Sequence, residues 1–428
     1  MKKVLIVTYY WPPSGGAGVQ RWLKFVKYLP QFGIQPVVLT VDPAFASYPQ
    51  TDESLLHEIA PETEVYRTRS FELYQFYSRL SKKKEIPYGG FANETHPSLF
   101  QKISRFVRGN FLLPDPRKGW NKYAYQKAVE LIAAHSIDTV ITTGPPHSTH
   151  LTGLKLQQKN DIRWVADLRD PWTDIYYYRQ FYHTSLARFA DRRMERKVLE
   201  KANQIIMVSQ DLLRLFNLKT TVDLQRKTSI LPNGFDEDDF LNKAHQEEEK
   251  FTITYTGTIS EMYDISGFIA ALKKIDQAII RNSKIRFVGK VPSAISNRIK
   301  DEFPEMEMEL TGYVNHQQSV GYLLRSSLLL LVIPKVENNG GILTGKFFEY
   351  LASRKPVLAI GPVDGDLAAI IRETACGKIF GYADKDGISS FVEAVFNAEW
   401  KTVPKNVEAY SRKGLTEKLS RILISSEK

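Results

Sequence analysis

The sequence predicts an α/β protein made of two doubly wound domains. Three observations lead there. The chain has 428 residues, too many for one ordinary core and suited to two. Short, nearly continuous apolar runs alternate with helix-like stretches, as in parallel sheets covered on both faces. The alternation breaks once, where Leu231-Pro232-Asn233-Gly234 leads into acidic and polar residues up to Lys250.

In the first half, strands are expected at Val4–Val7, Pro36–Leu39, Thr139–Ile141, Arg163–Val165 and Ile205–Val208, with helices at Gln20–Leu29, Lys122–Ala134 and Asp191–Lys201. The stretch Phe71–Leu113 reads as a long loop with an acceptor-binding or membrane-facing role. In the second half, strands are expected at Thr252–Tyr255, Ile285–Val288, Met308–Leu310, Leu328–Ile333 and Pro356–Ile360. A last helix near Lys413–Ile424 carries Leu415, Leu419, Ile422 and Leu423 on one side, fit to return to the first domain. The predicted domains are therefore 1–235, rejoined by 408–428, and 236–407.

Composition narrows the function classes. Hydrophobic residues make up 43% and charged residues 25%, which excludes a disordered chain. One cysteine, Cys376, cannot form an internal disulfide. The apolar run after Lys3 spans about four residues, shorter than the roughly 7–15 of a signal peptide. Leu328–Pro334, the longest apolar run, falls far short of the ~20 residues of a membrane span. A cytoplasmic protein is expected. The net charge of +10 is unevenly spread, with +12 up to Phe235 and −2 beyond. Phe100–Arg108 and Arg188–Lys201 mix basic and apolar residues, which suits either an anionic bilayer surface or a solvated helix face over a core. No nucleic-acid-binding module is recognisable.

Two glycine-bearing turns follow strands. Ser14-Gly15-Gly16-Ala17-Gly18 can bring bare backbone N–H groups to an anion, or can simply make a tight βα turn. It matches neither a dinucleotide fingerprint nor a Walker A loop. Asn338-Asn339-Gly340-Gly341-Ile342-Leu343-Thr344 leads into a helix with Thr344 as N-cap, whose N–H groups would hold a diphosphate. Lys346 adds a point charge. Glu349, one turn on, would accept ribose hydroxyls; the alternative is an exposed ion pair of the two.

In the first half, Trp164–Trp172 offers Arg169 to a donor phosphate or anionic acceptor, and Asp167 or Asp170 to an acceptor hydroxyl. A buried Arg–Asp network is the competing reading. His147, in Thr143–Ser148, would bind sugar or hydrogen-bond its own loop. Asp364-Gly365-Asp366 spells D-x-D but reads as an exposed turn, and no Cys/His cluster suggests zinc.

The stretch Gly340–Ala352, followed by Ser353-Arg354-Lys355-Pro356-Val357, resembles the donor signature of GT-B glycosyltransferases, closest to the retaining enzymes of glycosyltransferase family 4. In the same order stand Gly15-Gly16, Val208-Ser209, Leu231–Asp236, Tyr255-Thr256-Gly257-Thr258, Phe287-Val288-Gly289 and Tyr410-Ser411-Arg412. The resemblance implies two Rossmann-like domains facing a cleft. It implies metal-independent, retaining transfer of a hexose from a nucleotide sugar to a glycan or lipid-linked acceptor, in surface polysaccharide synthesis at the inner face of the membrane. No cofactor is implied beyond the co-substrate. Donor contacts would come from Gly15, Gly16, Gly257, Thr258, Gly341, Ile342, Leu343, Thr344, Lys346 and Glu349. Catalytic roles would fall to Asp170, Arg169 and Lys346, and acceptor contacts to His147 and Asp167. Two departures stand out. Gly341 occupies the place of the family's first glutamate, and Thr258–Asp264 lacks the family's arginine and lysine, for which Lys346 is the candidate replacement. A sugar-nucleotide epimerase and a non-catalytic sugar-binding protein are the alternatives.

Overall fold

The computed structural model describes residues 1–72, 98–241, 248–260 and 262–425. By internal contacts the chain divides into two units, Met1–Pro232 with Arg412–Lys428, and Asn233–Ser411.

The first unit holds seven parallel strands in the order β3-β2-β1-β4-β5-β6-β7. They are β1 (Lys2–Val7), β2 (Ile34–Val41), β3 (Glu64–Thr68), β4 (Thr139–Gly144), β5 (Arg163–Leu168), β6 (Gln204–Met207) and β7 (Thr228–Ile230). Both faces of β1 are covered: Leu5 and Val7 point into one apolar layer, Val4 and Ile6 into the other. The covering helices include α1 (Ala17–Tyr28), α2 (Leu99–Phe111), α3 (Asn121–His135), α4 (Ser148–Lys159), α5 (Ser185–Lys201) and α6 (Gln210–Asn217).

The second unit repeats the plan with six parallel strands, β10-β9-β8-β11-β12-β13. They are β8 (Phe251–Thr256), β9 (Ser283–Val288), β10 (Glu307–Gly312), β11 (Leu328–Val332), β12 (Val357–Ile360) and β13 (Gly377–Phe380). Its helices are α7 (Ser266–Leu272), α8 (Gln277–Arg281), α9 (Ser293–Glu302), α10 (His316–Arg325), α11 (Gly345–Ser353), α12 (Asp366–Thr374) and α13 (Lys385–Phe396). The final helix, α14 (Arg412–Ile424), lies in the first unit, where Leu415, Leu419 and Leu423 are buried in the layer that contains Trp22 and Phe25 of α1.

The structure departs from the sequence reading in one helix and three strands. The expected loop Phe71–Leu113 contains α2, started by a capping box on Ser98 and Gln101. The Lys82-Lys83-Lys84 and Tyr88-Gly89-Gly90 stretches of that loop lie outside the described residues. Strands β3, β7 and β13 were not expected. All three are sheet edges of three to five residues, and β3 and β13 carry charged residues, so none makes a long apolar run. Among the described residues no helix is long and apolar enough to cross a membrane.

Candidate active site

Strand order locates the sites. In a doubly wound sheet, ligands bind at the carboxyl ends of the two strands where the order reverses direction. Those strands are β1 and β4 in the first unit, and β8 and β11 in the second. Each pair carries one of the glycine turns singled out in the sequence.

In the second unit, Gly257 leaves β8 at φ +92°, with its N–H bonded to Val288 O at 2.7 Å. Gly289 passes so close behind it, at φ +133°, that any β-carbon there would collide with Gly257 O. Two bare backbones are thus needed to shape this turn. The loop after β11 is pinned by Asn339, whose amide donates to Pro334 O and Tyr382 Oη, both at 3.0 Å. Its Gly340-Gly341 segment ends in α11, and Gly365 of the D-x-D turn backs onto Gly340 O, where a β-carbon would lie 2.6 Å away. That turn buttresses the loop, while Asp364 itself is exposed.

Helix α11 delivers the charged groups. Tyr350 turns inward, accepting from Thr256 N–H at 2.8 Å and donating to Leu330 O at 3.3 Å, which fixes the helix to both switch-point strands. Lys346, one turn earlier on the same face, reaches over Gly257. Its Nζ lies 3.5 Å from the point a Gly257 β-carbon would occupy. It donates to Tyr255 Oη at 2.6 Å and lies over the rings of Tyr255 and Tyr263. Burial pushes the Lys346 ammonium down to about 8, against the opposing pull of Glu349. Glu349 is half-buried, with its carboxylate 3.9 Å from Nδ1 of His316, whose Nε2 stands 3.1 Å from Asp239. Thr344 occupies the N-cap position but its hydroxyl makes no capping bond; it is buried without a partner, as is the hydroxyl of Ser260. An orphaned hydroxyl at an uncapped helix N-terminus, a desolvated lysine on its first turn, and a second orphaned hydroxyl three residues past the Gly257 turn can receive a polar, anionic ligand.

In the first unit, Gly16 caps α1 at φ +92°, and Gly15 N–H bonds to Gln50 O. Arg169 spends all three nitrogens on backbone carbonyls: Gly144 O at 2.9 Å, Gly18 O at 2.8 Å and Pro145 O at 3.0 Å. It is a clamp holding the turn after β1 against the turn after β4. His147 stacks on Trp172 with centroids 4.6 Å apart. Burial, with His150 and Arg169 nearby, holds its imidazole well below the ordinary range, so it is neutral at pH 7, and its Nδ1 is buried without a partner. Asp170 is half-buried; burial raises its carboxyl although Arg169 opposes the shift.

Residues 88–239 match the sequence model for Glycosyltransferase Family 4. A search of the curated proteins finds no match. Among solved structures the chain is similar to a sucrose-phosphate synthase from Thermosynechococcus elongatus, with a TM-score of 0.60 at 14% identity over 99% of this chain and 98% of that one. It is similar to the lipopolysaccharide outer core galactosyltransferase WaaB, with a TM-score of 0.59 at 11% identity over 98% and 99%. It is also similar to a UDP-GlcNAc 2-epimerase from Methanocaldococcus jannaschii, with a TM-score of 0.52 at 11% identity over 99% of each chain. The fold is the GT-B glycosyltransferase fold.

Within this GT-B frame the site residues read from sequence fall into two sets. Gly257, Thr258, Gly341, Ile342, Thr344, Lys346 and Glu349 all belong to the turns and helix at the β8–β11 switch point. Leu343 offers only backbone, because its side chain is buried in the core beside Phe347 and Phe348. Gly15, Gly16, His147, Arg169 and Asp170 gather at the β1–β4 switch point of the other unit.

Two assignments are corrected. Asp167, expected at an acceptor, is fully buried and saturated: it accepts from Arg21, from Trp22 Nε1 at 2.7 Å and from Thr143 Oγ1 at 2.8 Å. Its ion pair with Arg21, at 2.9 Å and fully buried on both sides, ties α1 to β5. Arg169, offered as a catalytic group for a phosphate, has its guanidinium committed to three carbonyls. Sequence reasoning missed Tyr255, Tyr263, Ser260 and His316. Tyr255 and Ser260 flank the Gly257 turn, and that proximity was the signal available. His316 sits 33 residues from Glu349 and gave none.

Proposed function

We propose that this chain is a glycosyltransferase that takes a sugar from a nucleoside-diphosphate donor held by its second unit. The observation that carries the reading is the cluster at the β8–β11 switch point. There Lys346, desolvated over the Gly257 turn, stands in the first turn of α11, whose start is uncapped and whose N-cap Thr344 has an orphaned hydroxyl. A diphosphate would accept from the helix N–H groups and from Lys346, and Glu349 would hold the ribose. The same groups would stabilise charge on the phosphate as the glycosidic bond breaks. Lys346 takes over the cationic role for which Thr258–Asp264 has no residue.

The resemblance supports retention of anomeric configuration without a metal, with the departing phosphate accepting the proton of the incoming hydroxyl. Asp170 and His147 are the groups we assign to the acceptor hydroxyl in the first unit. Arg169 supports them by holding the loops, and Asp167 is left out. A hexosyl donor, a glycan or lipid-linked acceptor, surface polysaccharide synthesis and a cytoplasmic site of action complete the reading.

The test is a thermal-shift screen against UDP, GDP, ADP, CMP and their sugar conjugates, run on the wild type and Glu349→Ala. A shift with one nucleotide, lost in the variant, supports the site and names the base. No shift with any of them removes the donor site.

One observation favours a second reading. Gly341 puts no side chain where the family's first glutamate meets the sugar, and a UDP-GlcNAc 2-epimerase shares the fold. An epimerase would convert the donor with no acceptor present, which chromatography of a donor-only reaction would reveal.

A further inference from the structure

Helix α2 is built inside out. Its inward side carries Arg105, buried at 6% exposure, and Gly109, where a β-carbon would collide with Phe181 O. Arg108 lies over the Phe181 ring at 4.6 Å. The glycine lets the helix backbone approach the turn before α5, and Asn110 locks the contact, donating to Tyr182 O at 3.2 Å and accepting from Thr184 N–H at 2.7 Å. Its outward side is apolar along its whole length. Leu99, Ile103, Val107 and Phe111 recur every fourth residue and form one stripe, with Phe106 beside it. The first turns of α5, whose N-cap Thr184 is joined to Asn110 of α2, expose two more, Leu186 and Phe189. These seven side chains are between 41% and 78% exposed. Single exposed apolar residues are ordinary, but five along one helix with two more on the helix joined to it are not.

Charge says what covers it. Helix α2 contains no acidic residue, and Lys102 is exposed next to the stripe. Beyond Leu186 and Phe189, α5 exposes Arg192, Arg193, Arg196 and Lys197. Of its three acids, Asp191 is buried, accepting from Trp172 Nε1 and Tyr178 Oη, Glu195 is buried, accepting from Thr173 and Lys219, and Glu200 in the last turn pairs with Arg196. An apolar strip rimmed by an excess of cations, four on α5 against the single acid Glu200, fits the boundary between headgroups and acyl chains of an anionic bilayer.

We propose that the outward faces of α2 and of the first turns of α5 are a docking surface for an anionic lipid bilayer. The helices lie in the plane of the membrane, with Leu99, Ile103, Val107, Phe111, Leu186 and Phe189 entering the acyl boundary and the α5 cations meeting the headgroups. This surface is separate from the donor site and needs no nucleotide, so its failure would leave the donor reading standing.

Vesicle flotation of the full chain tests it. Vesicles of equal parts phosphatidylglycerol and phosphatidylcholine are compared with pure phosphatidylcholine, at low and high salt. The expected result is that the protein floats with the anionic vesicles at low salt and that high salt weakens this. Ile103→Glu with Phe189→Glu, and separately Arg192→Glu with Arg193→Glu, should each cut the bound fraction at least tenfold while the far-ultraviolet spectrum and melting temperature stay unchanged. All four positions are exposed, so folding survives. Wild type left at the bottom of the gradient would overturn the proposal, as would variants that float like wild type. Equal binding to neutral vesicles would overturn it too. So would a wild-type dimer dispersed by Ile103→Glu, because a second copy would then be the occupant.

Discussion

Lys346 and Asp167 show how differently buried charge is used in this fold. The Lys346 ammonium is pushed down to about 8 by burial. Between that value and the ordinary lysine range near 10.4 the unfolded chain binds more protons than the folded one, so ligand-free stability rises with pH over that window. A bound diphosphate favours the ammonium, so the dependence for binding runs the other way. Nucleotide affinity should be flat below about pH 7 and fall towards tenfold per unit above about pH 8, with proton uptake seen by calorimetry in buffers of different ionisation enthalpy. Lys346→Arg, which stays charged, should flatten the fall. Burial alone would raise the Asp167 carboxyl, but Arg21, Arg169 and the hydrogen bonds outweigh it and hold it below the ordinary range. That contribution is present above about pH 4 and is lost as pH falls through the lowered folded value. Asp167→Ala leaves Arg21 buried without its partner and should cost roughly 3–5 kcal/mol in chemical denaturation.

At the scale of elements, the turns do the shaping. Gly289→Ala forces a β-carbon into Gly257 O and an L side chain into φ +133°. It should cost about 1–3 kcal/mol of stability and weaken nucleotide binding in the same variant, measured by thermal melts with and without nucleotide. The central strands were legible because each is a bounded apolar run, and the helix after Thr344 was legible from its loop residues. The role of Thr344 was not: its hydroxyl points to no backbone donor, which composition cannot reveal. Helix α2 was hidden for a related reason. Its buried side is Arg105 and Gly109 and its exposed side is apolar, so the usual pattern runs backwards.

At the scale of the whole molecule, the two-sheet plan was written in the alternation of elements and in the break after Leu231. Strand order was not, and strand order is what puts Gly257 beside the loop after β11. The Arg21–Asp167 pair joins residues 146 apart, and no spacing rule reaches that far. Helix α14 joins the first unit through Leu415, Leu419 and Leu423, all buried. Leu419→Ala should destabilise that unit by about 2–5 kcal/mol in denaturant titrations. The most direct test of the central claim is calorimetric titration of the nucleotide chosen by the screen into wild type and Lys346→Met at pH 7. The account predicts at least a tenfold loss of affinity in the variant with an unchanged fold. Equal affinity in the two proteins would contradict it, and the anion would then have to be held elsewhere.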